Sequence, residues 1–307
     1  MTTPTDVERS AEITELANQY AYGVNSPTDH LAEVWNEIER LDLAGHVAEI
    51  DARGYTVIPP EKVAPPELTG RMRETLLDVV EKRTGRRPDV ENATEQGGTP
   101  FGYMATYLLF EDPVFQQAAL NPTAIAMVDY YLGRSSILGL VQAFLKGPGG
   151  FELPLHTDNV MIPAPYPAYE QSINITWLLS DYNADNGATC FVPGSNRFGR
   201  PPEAGEMLDA RVAAEGKAGS LLIWPGSTWH GGLVRKNPGL RIPVSMIYQR
   251  MYLQTQEPYA QDVTPQILER NPPRFATLMG QHQAYGYRAE GIDWAKTAAL
   301  PGKSLWD

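Results

Sequence analysis

From residue 136 to residue 253 the chain is a succession of short runs, apolar or alternating: 136–146, 153–160, 171–180, 188–193, 219–224, 228–234 and 241–253. β-Branched and aromatic residues fill them, as a pleated, half-buried surface favours. Turn formers divide them: Gly147-Pro148-Gly149-Gly150, Asn183–Gly187, Pro193-Gly194-Ser195, Pro225-Gly226-Ser227 and Asn237-Pro238-Gly239. Short strands with such regular punctuation predict a mainly β fold, a barrel or double-sheet jelly roll, with flanking helices.

The helices come before it. Segments 11–22 and 30–50 read as helical; in the second, Leu31, Val34, Ile38 and Leu41 recur at helical spacing. Gly54–Ile58 reads as a short strand stopped by Pro59-Pro60. Residues 66–84 read as a helix with Leu68, Met72, Leu76, Val79 and Val80 on one face. The Lys82–Arg87 stretch favours that helix's dipole as a solvated terminus; its second reading is a grip for a phosphorylated substrate such as a coenzyme A ester. Asp112-Pro113 opens another helix, Pro122 interrupts it, and a further one runs to Gly133. Helical pieces are expected within 264–299. The expected division is an N-terminal helical extension (1–53), the β domain with its buttressing helices (54–260), and a C-terminal extension packed on the same domain (261–307).

A chain of 307 residues, 42% of them hydrophobic, has material for a sizeable core. Its net charge of −12 argues against general nucleic-acid binding, which needs a basic surface. No secretory signal and no apolar run long enough to span a bilayer is present, so a soluble cytoplasmic protein is expected. Cys190, the one cysteine, excludes an internal disulfide and reads as a buried, inert thiol. Oligomeric state is left open.

The chemistry concentrates in His156-x-Asp158, His230 and Arg241. Side chains at i and i+2 of a strand face the same way, so His156 and Asp158 are expected to point together into the barrel mouth, with Thr157 pointing out. His230 opens another strand after the Pro225-Gly226 turn. Two imidazoles and one carboxylate on one face leave positions open on an octahedral ion, the arrangement suited to non-haem Fe(II). Arg241 follows the Asn237-Pro238-Gly239 turn, which is expected to return the chain antiparallel to the His230 strand. A guanidinium there offers a planar fork for the far carboxylate of a 2-oxo acid. Gly231-Gly232 leaves room beside the metal. His30 and His46 lie on predicted surface helices, and His282 lies in a polar C-terminal segment; none is assigned a role.

These residues, with several motifs in order, resemble the phytanoyl-CoA dioxygenase family of Fe(II)/2-oxoglutarate-dependent oxygenases. The resemblance runs from about Gly54 to about Tyr252. It includes Asp112-Pro-Val-Phe, Leu145-Lys-Gly-Pro-Gly149, Trp177-Leu-Leu-Ser-Asp181, Asp185-Asn-Gly187, Phe191-Val-Pro-Gly-Ser195 and Trp224. It implies a double-stranded β-helix (jelly roll, cupin-like), iron at His156, Asp158 and His230, and Arg241 as the anchor of 2-oxoglutarate. Gln142, Asn174 and Trp177 are implied as further co-substrate contacts. It also implies hydroxylation of an unactivated C–H bond with O2, releasing succinate and CO2. Halogenases of the superfamily carry a small residue where Asp158 stands, so the carboxylate makes hydroxylation the default; desaturation, ring closure and epoxidation share the same triad. Two departures stand out. Many relatives place a hydroxyl two residues after the distal histidine, where this chain has Gly232, and the usual Pro-Gly-Ser-His turn reads Asn196 here.

For the substrate, Tyr166 and Tyr169 in the proline-stiffened segment 160–171, Phe101 and Tyr103 in the segment 97–107, and Trp229 are candidate walls. They suggest a partly apolar small molecule, such as a secondary metabolite or lipid-like compound. A zinc-dependent hydrolase using the same two histidines and aspartate, and a non-catalytic jelly-roll binding protein, remain as alternatives.

Overall fold

The computed structural model describes residues 9–15, 27–95, 97, 99, 101–281 and 287–292. Its strands are β1 (Thr56–Ile58), β2 (Tyr103–Ala105), β3 (Ile137–Leu145), β4 (Leu153–His156), β5 (Ser172–Leu178), β6 (Thr189–Phe191), β7 (Val212–Ala213), β8 (Leu221–Pro225), β9 (His230–Gly232) and β10 (Pro243–Gln249), with a further two-stranded ladder within 287–292. They form a six-stranded sheet, β1-β8-β5-β10-β3-β2, and a four-stranded sheet, β4-β9-β6-β7. Every pairing is antiparallel. The result is the expected jelly roll with helices on one side.

Alternation along the strands of the larger sheet sorts its two faces. On β5, Ile173, Ile175 and Trp177 join Val141, Val244, Met246 and Tyr248 in a core shared with the helices, among them Met72, Leu76, Phe115 and Met127. Asn174 and Thr176 face the other way, toward the smaller sheet, and line a cavity there. Between the sheets a smaller cluster of Tyr55, Leu178, Phe191, Leu222 and Trp224 closes the sandwich. Cys190 is buried, and burial raises its thiol above its ordinary value, which keeps it protonated.

The helix expected over 30–50 is two helices, Pro27–Arg40 and Ala44–Arg53. Asp42 adopts a left-handed φ of 54°, and the chain turns so that Leu43, Val47 and Ile50 bury. Spacing alone misses the break because Leu41 and Leu43 continue the apolar pattern across it. The helix Pro66–Thr84 matches its expected bounds. At its end, Arg87 meets Glu74, Asp78 and Glu81, and Arg83 meets Glu111. These cations are paired with carboxylates of the chain itself, in keeping with a solvated helix terminus. The C-terminal pieces are Tyr259–Asp262, Pro265–Glu269 and Pro273–Leu278. Within 264–299, residues 282–286, including His282, and 293–299 lie outside the described residues, as do residues 16–22.

Candidate active site

β4 and β9 are antiparallel neighbours, and their register sets His156 opposite His230. β4 is an edge strand of its sheet, where Pro154 costs no ladder hydrogen bond. The two imidazole centroids are 4.2 Å apart. Asp158 is placed differently from expectation. β4 ends at His156 and its ladder is irregular, so strand alternation does not align the pair. Instead the Asp158 N–H donates to the Gly226 carbonyl at 2.9 Å, which ties it to the turn that leads into His230. A side chain at Gly226 would place its Cβ 2.1 Å from Ser172 Oγ, so this close approach requires glycine. Thr157 does point away from the site, but it is buried, its Oγ1 2.8 Å from the Tyr166 hydroxyl.

The ligand atoms of His156, Asp158 and His230 all lie within 4.8 Å of one another. His156 Nε2 is 3.8 Å from Asp158 Oδ1, and His230 Nε2 is 3.4 Å from Asp158 Oδ2. His156 Nδ1 is 2.9 Å from the Pro154 carbonyl and His230 Nδ1 is 3.0 Å from the Thr228 carbonyl. A carbonyl only accepts, so each Nδ1 carries the proton and each Nε2 presents its lone pair to the centre. Burial holds His230 well below its ordinary value against the pull of Asp158, so this imidazole is neutral at pH 7, as a metal ligand must be.

Asn174 lines the cavity, but its amide donates to Asp158 Oδ2 at 2.7 Å. That bond orients the carboxylate. Asn174→Ala is expected to weaken Fe(II) binding about 10–100-fold, the usual cost of losing such a partner. Metal titration followed by fluorescence checks this; unchanged affinity would show that Asp158 needs no help.

Glu170 supports the same turn from behind. Ser227 Oγ donates to both of its carboxylate oxygens, at 3.0 and 2.9 Å. Burial raises Glu170 from 4.5 to about 7, with Ser227 and Arg250 opposing. Between those two values the folded chain keeps a proton that the unfolded chain has lost, so stability falls as pH rises through this window, by about 3 kcal/mol in all. Glu170→Gln removes that slope. Its melting temperature relative to the native chain is expected to be higher at pH 8 than at pH 5, and a pH-independent difference would contradict the assignment.

A cavity of about 290 Å³ opens from the triad. One region of it is cationic. Arg241 and Lys146 are paired through backbone hydrogen bonds of 2.9 and 3.0 Å, and both side chains are buried. The connection to Arg241 differs from expectation: the 237–239 turn does not return beside β9 but crosses to the larger sheet, where β10 lies between β5 and β3. Arg235 holds the crossing by donating to the Gly239 and Pro238 carbonyls. Arg241 Nε and the Tyr182 hydroxyl are buried without a hydrogen-bond partner, and the guanidinium stands 5.3 Å from the Tyr182 ring centre. Orphaned buried donors of this kind fit an anionic ligand. Gly231 serves packing, since a Cβ would sit 2.6 Å from the Leu153 carbonyl oxygen, whereas Gly232 lines the cavity itself.

Phe101, Met104, Leu140, Phe144, Val160 and Ile247 form the apolar region. Gln142 lines the cavity as expected, paired across the ladder with Ser245, whose hydroxyl is 3.0 Å from that of Thr176. Several expected contacts lie elsewhere. Trp177 is three residues from Asn174 on one strand, so alternation puts it on the helical face; Thr176 holds the cavity position. Tyr103 likewise packs toward the helical core, and its neighbour Met104 takes the wall. Trp229, next to the inward His230, faces out and is buried beneath Arg200 and Phe198. Tyr166 is engaged with Thr157, and Tyr169 is covered by Arg250, 4.8 Å above its ring; Val160 is what that segment gives the cavity. Lys146, Tyr182 and Thr189 were not anticipated. Lys146 and Phe144 were within reach, since they follow Gln142 at even spacing on the same strand.

The sequence profile of the phytanoyl-CoA dioxygenase (PhyH) family matches residues 50–242, which span the triad and Arg241. The chain belongs to this family. Curated relatives include the dioxygenase af480 of Aspergillus fumigatus, 29% identical over 136 residues, or 43% of each chain. The dioxygenase aneA of Aspergillus aculeatus is 26% identical over 210 residues, 63% of this chain and 64% of that one. The matched regions thus span less than two thirds of either relative's length. Among solved structures, HygX of Streptomyces hygroscopicus with nickel and 2-oxoglutarate bound superposes with a TM-score of 0.57 at 16% identity, covering 70% of this chain and 89% of that one. AviO1 of Streptomyces viridochromogenes gives 0.52 at 21%, covering 68% and 95%. These likenesses establish the shared fold. The curated relatives af480 and aneA are named dioxygenases. No helix among the described residues is long and apolar enough to cross a membrane.

Proposed function

We propose that this phytanoyl-CoA dioxygenase family member binds Fe(II) at His156, Asp158 and His230, takes 2-oxoglutarate and O2, and hydroxylates an unactivated C–H bond of an uncharged, partly apolar small molecule. The observation that carries this reading is the juxtaposition of two Nε2 atoms that face one centre and a carboxylate with a buried, partly orphaned Arg241 in one cavity. The iron, when bound, supplies decarboxylation of the 2-oxo acid to succinate and CO2 and transfer of oxygen to carbon. The chain's own part is definite. The Pro154 and Thr228 carbonyls hold both imidazoles in the ligating tautomer, Asn174 aims Asp158, and Arg241 binds the far carboxylate. The cavity walls keep water from the reacting carbon.

The substrate class follows from the lining. Its ionisable side chains other than Tyr182 are Lys146, His156, Asp158, His230 and Arg241, all belonging to the triad or to the cationic region. The remaining lining joins aromatic and aliphatic side chains to neutral polar ones such as Gln142, Ser245 and Gln256 and adds no further charge, which favours a neutral, partly apolar compound over a coenzyme A ester. A HygX structure contains nickel, 2-oxoglutarate and hygromycin B together, so a protein of this fold takes a small molecule along with the co-substrate. A zinc hydrolase would leave Arg241 without a task.

The test is anaerobic addition of Fe(II) and 2-oxoglutarate, which should give a weak visible charge-transfer band, followed by screening of neutral, partly apolar compounds for stimulated succinate release and added oxygen by mass. A protein that binds zinc but yields no band and no succinate would refute the proposal.

A further inference from the structure

Gly232 raises a question that the cationic region answers. Many relatives in the family carry a hydroxyl at that position, and this chain has none there. β6 and β9 are antiparallel, and their register puts Thr189 directly opposite Gly232 on the cavity face. Partners across such a ladder are about 5 Å apart. The Thr189 hydroxyl therefore enters the same space from one strand over. Tyr182 approaches from the segment joining β5 to β6. It is 3% exposed, its hydroxyl makes no well-aligned hydrogen bond, and Thr189 and Arg241 stand within hydrogen-bonding reach of that hydroxyl. Nearby carboxylates are occupied: Asp158 faces the histidines and Glu152 pairs with Arg211. Lys146, which donates to the Leu233 carbonyl at 3.0 Å, adds a second positive charge.

We propose that Tyr182 and Thr189 supply the hydroxyl donors that complete, with Arg241, the grip on the distal carboxylate of the 2-oxo acid, a role moved from the distal-histidine strand to its neighbours. The phenol and the threonine each donate one hydrogen bond to carboxylate oxygens, and Arg241 gives its unengaged Nε. The polar contacts then discriminate a five-carbon dicarboxylate from a monocarboxylic 2-oxo acid, because only the former brings an acceptor to them. This deepens the proposed function and rests on it.

Tyr182→Phe and Thr189→Val preserve shape and delete one hydroxyl each. Titration of the anaerobic Fe(II)-loaded protein, followed by the charge-transfer band, compares 2-oxoglutarate with 2-oxobutyrate, which keeps the chelating end and lacks the far carboxylate. Each variant is expected to raise the Kd for 2-oxoglutarate about 10-fold, the scale of a hydrogen bond to a charged group. The Kd for 2-oxobutyrate and for Fe(II) should stay within about 2-fold, since neither ligand reaches these hydroxyls. Thr189→Ser keeps the hydroxyl and should bind 2-oxoglutarate as the native chain does. An unchanged Kd for 2-oxoglutarate in both variants, equal losses for both 2-oxo acids, or a Thr189→Ser loss as large as that of Thr189→Val overturns the assignment. Absence of any band in the native protein would instead defeat the co-substrate reading itself.

Discussion

Asp158→Ala is expected to abolish succinate formation, with a loss of about 1,000-fold or more. The carboxylate stands between the two imidazoles, 3.8 and 3.4 Å from their Nε2 atoms. Removing it takes away the one negative charge of the triad, and two imidazole nitrogens alone hold a divalent ion poorly. It also strands the Asn174 amide, whose partner it is. Loss of Fe(II) binding should accompany loss of turnover, which anaerobic titration and succinate assay measure separately. The fold should persist, because Asp158 is also held by its backbone N–H to Gly226, and that bond survives the change. Coupled turnover in this variant would mean that Asp158 is not a ligand.

Much of this site was legible because it depends on local patterns. Punctuated short runs announced the two sheets, and the turn before His230 announced a strand with an imidazole at its start. What escaped depends on register and on connections between sheets. Trp177 and Thr176 differ by one position, and one position decides which face of β5 a side chain joins. The same rule separates Met104 from Tyr103 and His230 from Trp229. Asp158 reached its place although the strand premise failed, because a backbone hydrogen bond to Gly226 did the aligning. Tyr182 and Thr189 could be found only once the pairing of Thr189 with Gly232 was known, and no local spacing encodes a partner 43 positions away (232 minus 189). Arg241 had the right neighbourhood for the wrong topological reason: the chain crosses between sheets at residues 237–239, and the guanidinium enters the cavity from the larger sheet.

Arg241 is also where the co-substrate reading is most exposed to experiment. Arg241→Leu is expected to raise the Kd for 2-oxoglutarate roughly 100-fold or more, since removing one partner of a buried charged pair costs about 2–5 kcal/mol. Fe(II) affinity should change little, because Arg241 is not among the clustered ligands. Arg241→Lys should recover part of the loss: it restores charge but replaces a planar fork with a single point donor. The substitution by leucine has a second consequence within the cavity. Burial, and then the charge of Arg241, bring Lys146 down to about 8. Without Arg241 that ammonium should hold its proton to higher pH, and it becomes the remaining cation for the carboxylate. Residual 2-oxoglutarate binding in Arg241→Leu should therefore weaken further when Lys146→Met is added. Retention of native 2-oxoglutarate affinity by the Arg241→Leu variant would place the dicarboxylate's anchor elsewhere in the chain, and with it the reason for reading the cavity as an oxygenase site.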